Sequence, residues 1–171
     1  TDGDLYYFMD NESYEQLALS EQVVRMTEGK PLSCFYGLTA KGVDPETGMM
    51  IYEDYNKDGK ISSSDRHYIG DANPDFIWGM TNTWSYKGFN LSVLLTSSIG
   101  NDIYNASKIE MIGMYNGSNQ ITDVLRRWRV PGQVTDIPKA GEVDNLKAST
   151  RWIEDGSYLK IKNITLSYDF S

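Results

Sequence analysis

Residues 76–99 read FIWGMTNTWSYKGFNLSVLLTSSI, and this stretch decides the fold. From Phe76 to Tyr86 large apolar side chains alternate with small or polar ones, and the alternation resumes at Phe89. A period of two is typical of a β-strand with one apolar face. Between the runs, Lys87-Gly88 has the length and the glycine of a two-residue hairpin turn. The stretch therefore predicts a hairpin of two strands of about ten residues each.

The hairpin fits either a soluble sheet or one that spans a membrane. Strands of about 9–11 residues match the tilted span of a bilayer, and aromatic side chains collect at its interfaces. Trp84, Tyr86 and Phe89 collect at the turn end of the apolar face. Because a soluble β-sandwich shows the same alternation, the pattern alone leaves both interpretations open.

The segments on either side of the hairpin add two strands and a long loop. Alternation returns in 157–170, and the run 49–53 predicts a short strand. The polar stretch 100–157 has weak periodicity, with a short helix predicted inside 101–115. Such long loops are uncommon in compact soluble domains and frequent on the extracellular side of outer-membrane barrels.

Residues 54–65 read DYNKDGKISSSD and resemble a cation-binding loop. Oxygen-bearing side chains occupy positions 1, 3, 5, 9 and 12, and glycine occupies position 6, as in a twelve-residue calcium loop. Position 12 is an aspartate where such loops usually carry a bidentate glutamate, so a water ligand or a lower affinity is expected. Ile61, at position 8, is expected to pair in a small β-bridge. The loop predicts bound Ca²⁺, and the alternative is a polar Asp/Asn-Gly turn without an ion. The predicted ligands are Asp54, Asn56, Asp58, the Lys60 carbonyl, Ser62 and Asp65.

The composition disfavours several classes of function. A net charge of −8 argues against binding of nucleic acid, which needs a basic face. The single histidine, His67, rules out a site built on several histidines, and no pair of carboxylates is fixed at the spacing that glycosidases use. We therefore predict that the chain is not an enzyme.

Aromatic residues in the predicted loops are weak candidates for substrate binding, because flat rings can stack on sugars. The alternative is that they pack the loops or anchor an interface. The candidates are Trp128, Trp152, Tyr104 and Tyr115.

Eight collinear segments resemble the SusC/RagA-type TonB-linked outer-membrane transporters of Bacteroidetes over residues 24–171. They are EGKPL at 28–32 running to FYG at 35–37, the 54–65 loop with DR at 65–66, IGDANPDF at 69–76, YKGFNLS at 86–92, GNDIYN at 100–105, TDIPKA at 135–140, RWIEDGSYL at 151–159 and KNITLSY at 162–168.

The resemblance implies an all-β fold that is part of a large antiparallel transmembrane β-barrel with long extracellular loops and one EF-hand-like calcium loop. It implies location in the cell outer membrane, import of glycans or peptides, a SusD-like lipoprotein lid, and energy from TonB. The Lys87-Gly88 turn would be periplasmic, and the segments 54–65 and 100–157 would be extracellular. Because the chain begins at Thr1 and stops after a strand-like run, we expect it to be part of a longer protein.

Residues 1–23 are assigned to a separate N-terminal hairpin of uncertain origin. Apolar runs at 4–9 and 13–19 flank a turn signal, and 2–17 look like the central β-barrel domain of elongation factor P. We carry over no translation function, because the likeness is short and the chain is acidic. The alternative to the transporter is a soluble, calcium-stabilised β domain that binds glycan or protein at the cell surface.

Overall fold

The computed structural model describes residues 5–7 and 23–170, and β-strands dominate them. The strands are β1 Leu5–Tyr7, β2 Val24–Met26, β3 Cys34–Gly37, β4 Ala40–Val43, β5 Met50–Tyr52, β6 His67–Asp71, β7 Phe76–Tyr86, β8 Phe89–Ile99, β9 Asp102–Tyr104, β10 Ile153–Asp155 and β11 Tyr158–Tyr168. One α-helix, α1, covers Ala106–Ile112, and short 3₁₀ helices cover Ser63–Asp65, Thr122–Arg126, Val143–Leu146 and Thr150–Trp152.

The strands form four antiparallel sheets. Their orders are β1-β2-β3-β6, β4-β5, β9-β10 and β11-β8-β7, and every strand pair is antiparallel. The prediction of an antiparallel all-β fold is therefore confirmed for the described residues. Within the same residues, no helix combines the length and the apolar character needed to cross a membrane.

The long hairpin is present as the sequence predicts. β7 and β8 pair without interruption from Phe76↔Ile99 to Tyr86↔Phe89. Lys87 and Gly88 have φ angles of 45° and 85°. Positive φ at both central positions matches the right-handed twist of the strands that the turn joins.

β11 pairs with the other edge of β8, and a β-bulge interrupts this pairing. Ile161 lies opposite Leu95 and Asn163 lies opposite Leu94, so Lys162 is the extra residue. The bulge shifts the alternation of β11 by one position, because two residues of the bulged strand oppose one on its neighbour. Leu159 and Ile161 consequently share a face with Ile164, Leu166 and Tyr168.

Residues 100–157, predicted as a polar loop with a short helix, contain a hydrophobic core of their own. The helix is confirmed as α1, and the Asn105 side chain caps its N-terminus by accepting a hydrogen bond from the Lys108 N–H. The core unites side chains from widely separated positions: Ile109, Ile112, Met114, Val124, Ile137, Leu146 and Trp152. Burial of these apolar groups fixes the shape of the segment.

A second small cluster attaches this loop to the β1-β2-β3-β6 sheet. Val23, Phe35 and Ala148 are buried together, and Leu38 forms a parallel bridge with Ser149. Of the predicted N-terminal hairpin, β1 is described and pairs with β2, whereas the run 13–19 lies outside the described residues.

Candidate functional site

One face of the three-stranded sheet is apolar across all three long strands. The register puts even-numbered residues of β7 beside odd-numbered residues of β8, and the bulge brings β11 into phase with them. Many of these side chains are exposed, such as Tyr86 at 70% and Leu166 at 67%. The face comprises Phe76, Trp78, Met80, Asn82, Trp84, Tyr86, Phe89, Leu91, Val93, Leu95, Ser97, Ile99, Leu159, Ile161, Ile164, Leu166 and Tyr168.

The opposite face of the same sheet is mostly polar and carries small side chains. It comprises Ile77, Gly79, Thr81, Thr83, Ser85, Asn90, Ser92, Leu94, Thr96, Ser98, Tyr158, Lys160, Asn163, Thr165 and Ser167. The hydroxyl groups of its Ser and Thr residues and the amides of its Asn residues favour contact of this face with water. The sheet is therefore amphipathic, with opposite preferences on its two faces.

Aromatic rings lie at both ends of the apolar face. Phe89 packs on Tyr168 with ring centroids 4.6 Å apart, next to Trp84 and Tyr86 at the turn end. Phe76 and Trp78 lie at the other end, and the residues between are mainly aliphatic. An aliphatic band between two aromatic belts is the pattern of a surface that faces hydrocarbon. Sequence reasoning missed Leu159 and Ile161 as members of this face; the adjacent polar pair Lys162-Asn163 was the available signal of a bulge.

The predicted cation loop links β5 to β6 and is folded around two carboxylates. Asp54 accepts hydrogen bonds from the backbone N–H groups of Asp58 at 3.2 Å and Gly59 at 2.8 Å. Lys57 and Gly59 take positive φ angles of 62° and 82°, which turn the chain back towards Asp54. The spacing of the motif thus produces a closed loop.

Asp65 is the central residue of this loop and is 0% exposed. Its carboxylate accepts hydrogen bonds from the N–H groups of Ser62 at 2.7 Å, Tyr55 at 3.0 Å and Asn56 at 3.3 Å. The hydrogen bond from Ser62 has the largest effect in lowering the pKa of Asp65, and the bonds from Asn56 and Tyr55 and a side-chain hydrogen bond with Asp54 lower it further. Asp65 is therefore held ionised beside a second acidic group.

The remaining predicted ligands lie around the same loop. Asn56 Nδ2 donates to Asp58 Oδ2 at 3.1 Å and to Ser64 Oγ at 2.9 Å, and Ser62 Oγ lies 2.7 Å from Ser64 Oγ. The described residues hold no group of three or more His, Cys, Asp or Glu side chains placed to bind a metal ion. A cation here would therefore need the amide, hydroxyl and Lys60 carbonyl oxygens as well. Ile61 forms no bridge and is exposed, so its predicted pairing is wrong.

The four aromatic candidates for substrate binding are placed in packing positions. Trp152 is 0% exposed in the loop core, and its Nε1 donates to the Lys147 carbonyl at 3.1 Å. Tyr104 packs against Phe35, and the Tyr115 hydroxyl donates to Glu110. Trp128 is half-buried, and its Nε1 donates to the Pro45 carbonyl at 2.7 Å. In this structure all four rings hold the loops together.

Gly48→Ala is expected to destabilise the contact between the β4–β5 turn and the 128–147 loop. Gly48 has φ of 73°, and an added Cβ would lie 2.5 Å from Cδ2 and Cε3 of Trp128. Gly132→Ala is the matched control, because Gly132 has φ of 84° with nothing near its Cβ position. Both changes carry the left-handed backbone cost, and Gly48→Ala should cost about 1–3 kcal/mol more from overpacking. Equal losses in thermal or denaturant unfolding would contradict the Trp128 contact.

Comparisons with known proteins give matches of two kinds. A family model described as the elongation factor P OB domain matches residues 1–32. TonB-dependent receptor P3 of Formosa agariphila is 30% identical over 98% of this chain. TonB-dependent receptor SusC of Bacteroides thetaiotaomicron is 26% identical over 70% of it. The chain spans 18% and 12% of the lengths of these two relatives.

The fold is also found in a solved structure of the RagAB peptide transporter. The match has a TM-score of 0.73 at 23% identity, and it covers 85% of this chain and 17% of that chain. At 23% identity this match establishes a shared fold and nothing about function.

Proposed function

Because the chain is similar to a segment of SusC/RagA-type TonB-dependent receptors in sequence and in fold, we propose that it is part of an outer-membrane importer. The observation that carries this proposal is the single apolar face shared by β7, β8 and β11, with a polar face behind it. In a transmembrane barrel the apolar face meets lipid and the polar face meets the aqueous lumen.

The lengths of the strands agree with this role. Each of the three strands has eleven residues, and strands of about 9–11 residues cross the hydrocarbon layer when tilted. Since lipid cannot satisfy open backbone groups, β7 and β11 must pair with further strands on their outer edges. The remainder of a larger barrel would supply those strands.

The loops would then lie on the extracellular side. The two-residue turn at Lys87-Gly88 is of the short kind that joins strands on the periplasmic side, whereas 100–157 is long and has its own core. In this arrangement the 54–65 loop and the 100–157 segment face the substrate and a SusD-like lipoprotein lid. TonB would provide energy, and the cargo would be a glycan or a peptide.

Reconstitution of the receptor that contains this chain tests the proposal. Quenching of Trp84 and Trp78 by brominated lipid tails in vesicles should be strong, because both rings lie on the apolar face. Trp152 serves as the internal reference, since it is buried among protein side chains. A chain that stays soluble and monomeric without detergent, with no lipid quenching, would favour a calcium-stabilised surface domain.

We further propose that the 54–65 loop binds Ca²⁺ in a structural role. The sequence of the loop supplies six oxygen donors of the type that Ca²⁺ prefers. The Asp54 carboxyl lies within hydrogen-bonding reach of Asp65, so a divalent ion between them would bind two acidic ligands. The bound ion would stiffen the connection between β5 and β6.

Removal of calcium is expected to lower the melting temperature of the receptor. At a free Ca²⁺ concentration of about 100 times the dissociation constant, binding stabilises the folded state by about 2.7 kcal/mol. Chelation with EDTA should remove this term, and added Ca²⁺ should restore it while Mg²⁺ does not. Identical melting curves with and without chelator would refute the site.

A further inference from the structure

The three long strands contain only two charged side chains, Lys160 and Lys162, both on β11. They are positive in a chain whose net charge is −8. Both are exposed, and neither forms an ion pair with another residue of the described ranges 5–7 and 23–170. Two adjacent cations on an otherwise uncharged sheet call for an explanation.

The bulge in β11 places both lysines on the polar face. Lys160 pairs with Thr96, which belongs to that face. Ile161 and Ile164 both lie on the apolar face, opposite Leu95 and Val93. The two residues between them, Lys162 and Asn163, therefore both leave the apolar face, which regular alternation would not allow.

The residues near the two lysines on the polar face have small side chains, which leave the surface open. Thr96 lies between Lys160 on one neighbouring strand and Gly79 on the other. A Cβ at Gly79 would have as its nearest neighbour the Leu95 carbonyl oxygen at 3.6 Å, so no side chain fills this position. A ligand group can therefore approach the two ammonium groups from the polar side.

We infer that Lys160 and Lys162 form a carboxylate-binding subsite on the polar face of the sheet. The inference rests on the proposed function, in which this face lines the aqueous lumen. Ammonium groups form short, charge-assisted hydrogen bonds with carboxylates, and partial removal of water in a lumen strengthens them. The carboxylate would come from an acidic peptide or from a uronic-acid glycan among the cargo.

Protection from chemical modification tests the subsite in the full receptor in phosphatidylcholine vesicles. A water-soluble acetylating reagent is applied, and the modification of each lysine is measured by peptide mass spectrometry. The probes are trigalacturonate and triglutamate, with the methyl ester and triglutamine as their neutral counterparts. At about ten times its dissociation constant, a carboxylate probe should slow acetylation of Lys160 and Lys162 about tenfold. Lys87, in the turn at the far end of the sheet, should be unaffected.

The pattern of protection identifies the source of the carboxylate. Protection by trigalacturonate alone assigns a glycan, by triglutamate alone a peptide, and by both a general carboxylate site. Protection by neither probe, equal protection by the neutral forms, or lysines that do not react at all would overturn the inference. The lipid-quenching experiment is read separately, so a sheet that inserts but shows no protection refutes only the subsite.

A double variant provides the second measurement. Lys160→Gln with Lys162→Gln should weaken binding of the protecting probe about tenfold or more, because both charges are lost. Lys87→Gln removes one positive charge from the β7–β8 turn and should leave that binding unchanged. Equal weakening in the two variants would indicate a general charge effect and would count against the subsite.

Discussion

Leu95→Lys is expected to prevent stable insertion of the barrel, because it puts a charge on the apolar face near the middle of β8. Leu95 lies between Met80 on β7 and Ile161 on β11. A lysine at the bilayer midplane of such a face costs about 2–4 kcal/mol. Folding of the full receptor into vesicles, followed by urea titration and the heat-dependent shift in gel mobility, measures this loss.

Leu94→Lys is the matched control for this experiment. Leu94 is the same residue type, next in the same strand, but it lies on the polar face opposite Thr81 and Asn163. A lysine there remains in water, apart from a small repulsion from Lys162. The two variants should therefore differ by most of the midplane cost. Similar losses in both would show that lipid does not contact the face that contains Leu95.

The hairpin was predictable because its information is local. The period of two in 76–99 fixes the faces, and Lys87-Gly88 fixes the turn and with it the register. The short strand β5 and helix α1 were predicted for similar reasons. Each of these elements depends on side chains that are neighbours in sequence.

The β-bulge and the loop core were not predictable in this way. The prediction for 157–170 was based on the alternation of apolar residues from Ile164 to Phe170. Leu159 and Ile161 alternate in the opposite phase, and they join the same face only because Lys162 is an extra residue in the pairing with β8. The core of 100–157 takes one or two side chains from each of several segments. Because periodicity cannot reveal such scattered contacts, the sequence left Trp152 as either a weak candidate for substrate binding or a packing residue, and the structure places it in the core.

The cation loop was predicted as a set of oxygens, and the structure adds the internal hydrogen bonds. The motif places Asp65 at the twelfth position, but it does not show which N–H groups donate hydrogen bonds to this carboxylate. Those donors, Ser62, Tyr55 and Asn56, come from both ends of the loop. Hydrogen bonds to Asp65 therefore close the loop without the help of an ion.

Asp65→Asn is expected to weaken Ca²⁺ binding by about two orders of magnitude, because it removes a charged ligand and one acceptor of backbone N–H bonds. Calcium titration of the full receptor, followed by calorimetry, gives the affinity. Glu46→Gln is the control, since Glu46 is an exposed acid in the β4–β5 turn, outside the loop, and it should change the affinity little. An Asp65→Asn receptor with wild-type affinity would remove Asp65 from the ligand set.

The same residue should make the loop sensitive to acid. The pKa of Asp65 is lowered in the folded state, first by the Ser62 N–H. The stabilisation is therefore fully present above the ordinary carboxyl pKa of about 3.9 and is lost as the pH falls through the lowered value. Asp65→Asn cannot be protonated in this way, so it should abolish this part of the acid dependence, measured as melting temperature against pH in EDTA. If wild type and variant lose stability in parallel as the pH falls, other carboxylates account for the acid sensitivity.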